Sequence, residues 1–339
     1  MPLLDSVLPQ AHKPRALVAI FASVTVAGLL MIWGTHVMEQ YGIALFVLSP
    51  IMIGLLPAVL YAQGRTISMG RSMALAFISL GVLVLGLFLM AVEGVLCLVM
   101  AAPLSLLLTG IGGAIGYSLA TKAPRHGPAA MTLLLVAIPS TTVLEQTQAQ
   151  HPMQEVTTSV VIDAELQEVW DIVIAFPDLD EPTEWLFRAG IAYPISAEID
   201  GLGVGAIRRC NFSTGSFVEP ITAWEEPTLL AFDVAVNPAP MNELSFWDIN
   251  APHLHDYFVS KKGQFKLSTL PDGRTRLEGT TWYQHHIKPD FYWSLWSEFI
   301  IHRIHQRVLE HIKVNAEARA LSPSAHTSLT PVQDLGSFH

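Results

Sequence analysis

Met73–Ala120 reads MALAFISLGVLVLGLFLMAVEGVLCLVMAAPLSLLLTGIGGAIGYSLA, and Glu93 is the one charged side chain in it. A run of this length exceeds a single helical crossing of a hydrocarbon layer about 30 Å thick, so it divides into two helices that turn at Glu93–Gly94. Two further apolar segments precede it, Ala16–Trp33 and Ile43–Ala62, and between Ala16 and Gly64 only Glu39 is charged. The expected spans are therefore 16–33, 43–62, 73–92 and 95–120. A fifth segment, 129–144, carries Pro139 and a Ser140-Thr141-Thr142 run, and its apolar core is marginal in length. It either crosses or lies along the interface. Ala16–Trp33 has no convincing small-residue cleavage site and is followed by more spans, so it reads as an anchor and not a cleaved signal.

The basic residues orient these spans. All six Lys/Arg of residues 1–145 fall in three places: Lys13 and Arg15, Arg65 and Arg71, Lys122 and Arg125. The loops between, His36–Gly42 and the Glu93 turn, have none. Positive residues stay on the cytoplasmic side, so the N-terminus is expected there. With the fifth segment crossing, the rest of the chain lies outside the cytoplasmic membrane. Intramembrane chemistry is sparse: Gly110, Gly113 and Gly116 form a small-residue stripe that suits close helix packing or a lipid or substrate groove, and Glu93, a carboxylate near the bilayer, is either functional or placed to reach the interface. No array of buried acids and bases suggests a pump.

From His151 onward the composition changes, with 25 Asp/Glu against 13 Lys/Arg. A surface that acidic argues against nucleic acid. Cys97 lies in an apolar segment and Cys210 in the polar half, so no disulfide framework is expected. Residues 146–153 read as a linker and 320–339 as a Ser/Thr/Pro-rich tail. Between them, 156–163 is β-branched and extended. Asp163 stands where an N-cap would, Leu166, Val169, Trp170, Val173 and Ile174 repeat at helical spacing, and Pro177 stops that helix. Strand patterns follow at 206–212, 216–224, 228–236, 257–270 and 274–285, the last two joined by a Pro271-Asp272-Gly273 turn. One long helix, 290–319, closes the pattern with an inward stripe of Trp293, Trp296, Ile300, Ile301, Ile304, Val308 and Ile312.

A strand, a short helix, a run of antiparallel strands and a long C-terminal helix is a distinctive order. It resembles the helix-grip superfamily grouped as SRPBCC: START-type lipid-binding domains, plant pathogenesis-related allergens and bacterial polyketide cyclase/dehydrase-like proteins. The likeness lies in Val160-Val161-Ile162-Asp163-Ala164 leading into Val169-Trp170-Asp171, in Gly203-Val204-Gly205, in Asp272-Gly273-Arg274-Thr275-Arg276, and in Tyr292-Trp293 through Ile304-His305-Gln306-Arg307-Val308-Leu309. It covers roughly residues 154–319. The expected fold is thus an all-α transmembrane region, 1–145, followed by an α+β domain in which a curved antiparallel sheet grips the C-terminal helix. The resemblance implies a cavity between sheet and helix. Asn237–Asp256 is an insertion placed as a lid would be over such a cavity.

Several residues could act there. His305 falls one turn after Ile301 and one before Val308 and Leu309, on the apolar side of the helix, and reads either as an acid/base or hydrogen-bond donor or as an ordinary core histidine. Asp233 shares a strand face with Ala231 and Ala235, toward cavity or solvent. Arg208 and Arg209 take opposite faces, so one can anchor an anionic head group inside the cavity while the other is solvated, and Arg209 is the one expected in the ligand set. Trp282, Tyr283 and Ile301 complete the expected ligand set, the aromatics serving equally as packing. His253, His255 and Asp256, with His285 and His286, allow a zinc site to be drawn, although nothing in the sequence brings them together. No metal or cofactor is expected. Phosphate loops, nucleophile elbows, HExxH and CxxC are all absent.

These features point to a multi-pass protein of the bacterial inner membrane whose outer domain binds or transfers a hydrophobic small molecule, such as a lipid, isoprenoid or polyketide-like compound. Holding an apolar-cavity domain at the bilayer raises its effective concentration near such a ligand. The alternatives are a cyclase or dehydratase acting on a lipophilic substrate by acid–base catalysis, with His305, Asp233 or the His253/His255 loop as agents, and a docking module for partners the sequence does not name.

Overall fold

The computed structural model describes residues 11–123, 125–147, 152–246, 254 and 257–321. Five N-terminal helices are long and apolar enough to cross a membrane: α1 (His12–Val37), α2 (Ala44–Tyr61), α3 (Met69–Leu89), α4 (Val95–Lys122) and α5 (Gly127–Thr147). The Met73–Ala120 run breaks at Glu93–Gly94, as its one charge requires. Helix α5 continues past 145 into the expected linker, because Pro139 is accommodated inside the helix.

Helix α2 is central, packed against α1, α3, α4 and α5. Its approach to α4 depends on glycine. A Cβ at Gly54 would fall on the Thr109 carbonyl oxygen, and one at Gly112 on that of Ile51. Side-chain hydroxyls also bind α4 to its neighbours, Ser72 of α3 donating to the Gly113 carbonyl at 2.8 Å and Thr109 to that of Pro50 on α2 at 3.2 Å. The small-residue stripe is thus a packing surface.

The C-terminal half begins with β1 (Gln154–Ile162), α6 (Leu166–Ala175) and α7 (Trp185–Arg188). There follow β2 (Pro194–Asp200), β3 (Ile207–Phe212), β4 (Gly215–Glu225), β5 (Leu229–Asp233), β6 (Phe258–Thr269) and β7 (Thr275–His285), then α8 (Asp290–Ala320). The seven strands form one antiparallel sheet in the order β1-β7-β6-β5-β4-β3-β2. Register shifts at Pro194/Ser196, Ile221/Ala223 and Ser260/Lys262 mark irregularities of the kind that curl a sheet. Strand β2 and the short α7 were not expected. β2 opens on proline and mixes Glu198 and Asp200 with its apolar residues, the marks of an edge strand, and it pairs only with β3.

Helix α6 starts at Leu166, not after Asp163. Glu165 and Glu168 cap it reciprocally, each carboxylate accepting from the other's backbone N–H. The Asp163 N–H instead donates to Glu317 Oε1 at 3.0 Å, which ties α8 to the end of β1. Side chains from the sheet, α6 and the second half of α8 share one core, including Ile162, Trp170, Leu230, Leu277, Leu309 and Ile312.

The expected stripe on α8 divides among three clusters, Ile301 joining Val156 and Tyr283 in the smallest. Ile312, with Leu309 and Ala316, packs into the sheet core, and Val308 lies against it. Trp293, Trp296, Ile300 and Ile304 join a different cluster, which includes Leu96 and Met100 of α4 and Phe46 of α2. One helix thereby serves the sheet core and a second core at the junction of the halves. Phe46 meets the Trp293 ring edge-on at 4.8 Å, and the Tyr292 hydroxyl donates to the Met100 carbonyl.

Further contacts between the halves run through two interhelical loops. Tyr41 bridges to Ile287 and accepts the Lys288 N–H at 2.9 Å, and Tyr257 donates to the Glu39 carbonyl. The Val95 N–H donates to Leu244 at 3.2 Å. These are the loops that lack Lys and Arg. Arg15, Arg65 and Arg71 gather at the opposite end of the helices, around His12, Tyr61 and Gln63.

Candidate functional site

Two cavities lie at and above the junction of the halves. The larger, about 380 Å³, is lined by both. Its upper wall comes from Ile191, Met241, Phe258, Trp293, Trp296 and Ile300. Its lower wall is built by α2, α3 and α4, among them Ile53, Leu80, Leu83 and Ala101. Apolar residues that are otherwise exposed, Phe77, Val84 and Leu106, line it on one side, where α3 and α4 run together. Its polar groups are few: Thr35, Tyr41, Ser49, Glu93, Ser297 and His285 are the main ones. Among the described residues Glu93 is the single acid on its walls, and no Lys or Arg lines it.

The polar groups are held by neighbours. Tyr41 donates to Glu93 Oε1 at 3.4 Å. His285 Nδ1 faces the Ile287 carbonyl at 3.1 Å, which assigns the ring proton to that nitrogen, and Nε2 meets Ser294 Oγ at 3.1 Å and Gln154 Nε2 at 3.0 Å. Ser297 donates to the Trp293 carbonyl at 3.0 Å. The Trp293 indole N–H is buried and has no hydrogen-bond partner among the described residues.

The smaller cavity, about 150 Å³, lies between sheet and α8. Pro240, Phe258 and Ile300 line both chambers and form the partition between them. Its distinctive feature is a buried ion pair. Arg208 on β3 and Glu219 on β4 are directly opposed in register, and the guanidinium donates to the carboxylate. Three rings surround the cation, Phe232, Phe265 and Phe176, at 5.1, 5.6 and 5.9 Å. Burial raises the Glu219 carboxyl while Arg208 holds it back. Burial likewise pushes the neighbouring Cys210 thiol up to about 11, against the pull of the same guanidinium.

His305 and Ile301 line this smaller cavity. Burial, and then the charge of His302, drive the His305 imidazole down to about 4. Its Nε2 meets Thr281 Oγ1 at 2.8 Å and its Nδ1 meets Thr158 Oγ1 at 3.1 Å, while Thr158 also reaches His302 Nδ1 at 2.7 Å. At neutral pH this is an uncharged imidazole wired to the surface.

The other expected residues do not converge there. Arg209 is exposed on the outer face, because alternation that turns Arg208 inward turns its neighbour out. Asp233 is also exposed, its neighbour Phe232 taking the buried face. Trp282 is partly exposed and donates to Glu155 Oε2 at 2.9 Å. Tyr283 is fully buried, its hydroxyl donating to Gln154 at 2.7 Å, and it packs with Phe258 and Ile301 and lines neither chamber. His253, His255 and Asp256 lie outside the described residues. Of their proposed partners, His285 is engaged as above and His286 packs edge-on against Tyr257. No cluster of His, Cys, Asp and Glu that could hold a metal occurs among the described residues. The described part of the insertion, Pro240 and Met241 in particular, lines the cavities, with Ala192 N–H donating to Pro240 at 3.0 Å.

A strand and a short helix, a curled antiparallel sheet, and a long helix packed against it define the architecture of residues 154–320. The C-terminal half is a helix-grip domain. No protein-family model and no curated protein matches the chain. Among solved structures, the chain is similar to a protein from Nitrosospira multiformis at 17% identity, covering 50% of this chain and 98% of that one with a TM-score of 0.31. An aromatase/cyclase from a Streptomyces species is similar at 18% identity, over 50% of this chain and 96% of that one, TM-score 0.34. Norcoclaurine synthase from Thalictrum flavum is similar at 12%, over 51% and 99%, TM-score 0.32. The helix-grip assignment rests on the strand order and on the helix the sheet clasps.

The sequence reading placed the ligand set inside the helix grip and missed the junction cavity. Tyr41, Glu93 and Trp293 meet there from three separate segments. The one signal in the sequence was Glu93 itself, a lone acid between two apolar helices.

Proposed function

We propose that this is a multi-pass inner-membrane protein whose helix-grip domain, together with the membrane helices, binds a hydrophobic small molecule taken from the bilayer. The observation that carries this reading is the junction cavity. It is apolar, it has the size of a small-ligand site, and neither half forms it alone. The basic residues favour an N-terminus in the cytoplasm, and the domain then lies on the outer side, above the loops without Lys or Arg.

Organic extracts of the detergent-purified full chain test the reading by mass spectrometry. The wild type is expected to carry a specific lipophilic compound, and Ala101→Phe, which puts a ring into the cavity, at least tenfold less of it. Equal loading of both, or bulk lipid alone in both, would remove the support.

A second reading, acid–base catalysis on such a molecule, draws on His305 alone, an uncharged imidazole at the wall of the smaller cavity. Asp233, another expected agent, is on the outer face. Turnover of the extracted compound that is lost in His305→Gln would favour this reading over simple binding.

A further inference from the structure

We infer that the junction cavity takes an uncharged amphipath whose head both donates and accepts hydrogen bonds, a long-chain alcohol in the simplest case, and that its chain enters sideways between α3 and α4. The inference rests on the binding reading above and specifies the ligand and its route.

Three observations support it. The first is charge. Glu93 is the only charged group among the described lining residues, with no Lys or Arg to receive a phosphate or carboxylate. An anionic head group in an apolar chamber facing that acid has no counter-ion, and burying such a charge unpaired is costly. Phospholipid and fatty-acid heads are disfavoured, whereas a hydroxyl donates to the carboxylate without bringing in charge.

The second is the Trp293 indole N–H. It is buried, it belongs to a side chain on the cavity wall, and among the described residues it has no acceptor. A buried donor without a partner is costly, and an oxygen of the ligand would recover that cost. The head group must therefore accept as well as donate.

The third is the cavity's extent. Glu93 is in the loop at the head of α3, and Phe77 lies twelve residues before Leu89, about 18 Å down the helix at 1.5 Å per residue. A chamber that reaches from the interface to mid-membrane suits a chain lying along the helices. Its flank is made by Phe77, Gly81 and Val84 of α3 and Leu106 of α4, residues that are exposed and would face lipid. Gly81 is the narrowest of these. A Cβ there would meet nothing within 4 Å, so a larger side chain fits the fold and occupies the opening.

The test uses the full chain in nanodiscs of neutral lipid, with fluorescent probes of one chain length ending in a hydroxyl or a carboxylate, at pH 7.5. The alcohol is expected to bind at least tenfold more tightly than the carboxylate. Glu93→Gln should narrow that gap, Trp293→Phe should weaken the alcohol several-fold, and Gly81→Trp should abolish or slow its uptake at least tenfold. Should Gly81→Trp fail to fold, Val84→Trp at the same opening is read instead. Equal or tighter carboxylate binding, or uptake indifferent to both tryptophan variants, overturns this inference and leaves hydrophobic binding standing. Binding of neither probe overturns both.

Discussion

The most consequential side chains in the helix-grip domain are a charged pair in an apolar place. Arg208 and Glu219 face each other across β3 and β4, ringed by Phe176, Phe232 and Phe265. Removing one partner strands the other, so Glu219→Gln is expected to destabilise the domain by about 3–5 kcal/mol, while the double change Arg208→Met with Glu219→Leu recovers most of it. Thermal melting of the purified protein distinguishes the two. His305 makes the domain sensitive to acid. Unfolded, its imidazole takes a proton near 6.5, and folded only near 4. The neutral form therefore contributes its full stability above pH 6.5, and that contribution is lost as pH falls from 6.5 towards 4. At most about 3 kcal/mol is at stake. The melting temperature should drop over that interval, and His305→Gln should flatten the profile. At this scale the sequence showed that Arg208 and Arg209 take opposite faces. Which one points inward depended on pairing with β4, and pairing is not a local property.

At the scale of elements, the long C-terminal helix was legible from its spacing, and so were α6 and six of the seven strands. The edge strand β2 was not, since Pro194, Glu198 and Asp200 interrupt its pattern. The start of α6 was misplaced by two residues because Asp163 is a conventional cap, whereas Glu165 caps through its reciprocal partner Glu168. Glu165→Ala should cost about 1 kcal/mol. Leu309 lies at the centre of the grip, fully buried beside Gly279, and Leu309→Ala should cost about 2–5 kcal/mol. Chemical denaturation that leaves either midpoint unmoved would contradict the packing described. The division of α8 between two cores escaped a sequence reading for a simple reason: periodicity reveals an apolar face but not what covers it.

For the whole molecule, the docking of the domain onto the loops at Tyr41 and Glu93 couples topology to function. With five crossings, the N-terminus and the helix-grip domain lie on opposite sides of the membrane. Reporter fusions at the two ends should therefore give opposite signals. The same signal at both ends would mean that α5 does not cross, and the domain would then have to leave the loops it rests on.

The chain's own composition determined the division into an apolar half and a polar one, the helix turn at Glu93, the basic end of the helices and the order of elements in the grip. Each follows from local chemistry: apolar length, charge placement and side-chain period. Only the tertiary structure decided that the larger cavity lies between the halves, that Arg208 and not Arg209 faces inward, and that Tyr41, Glu93 and Trp293 line one chamber. Those residues are separated by up to 252 positions in the chain. Their meeting depends on how α8 packs against both halves, a long-range fit that no short stretch of sequence encodes.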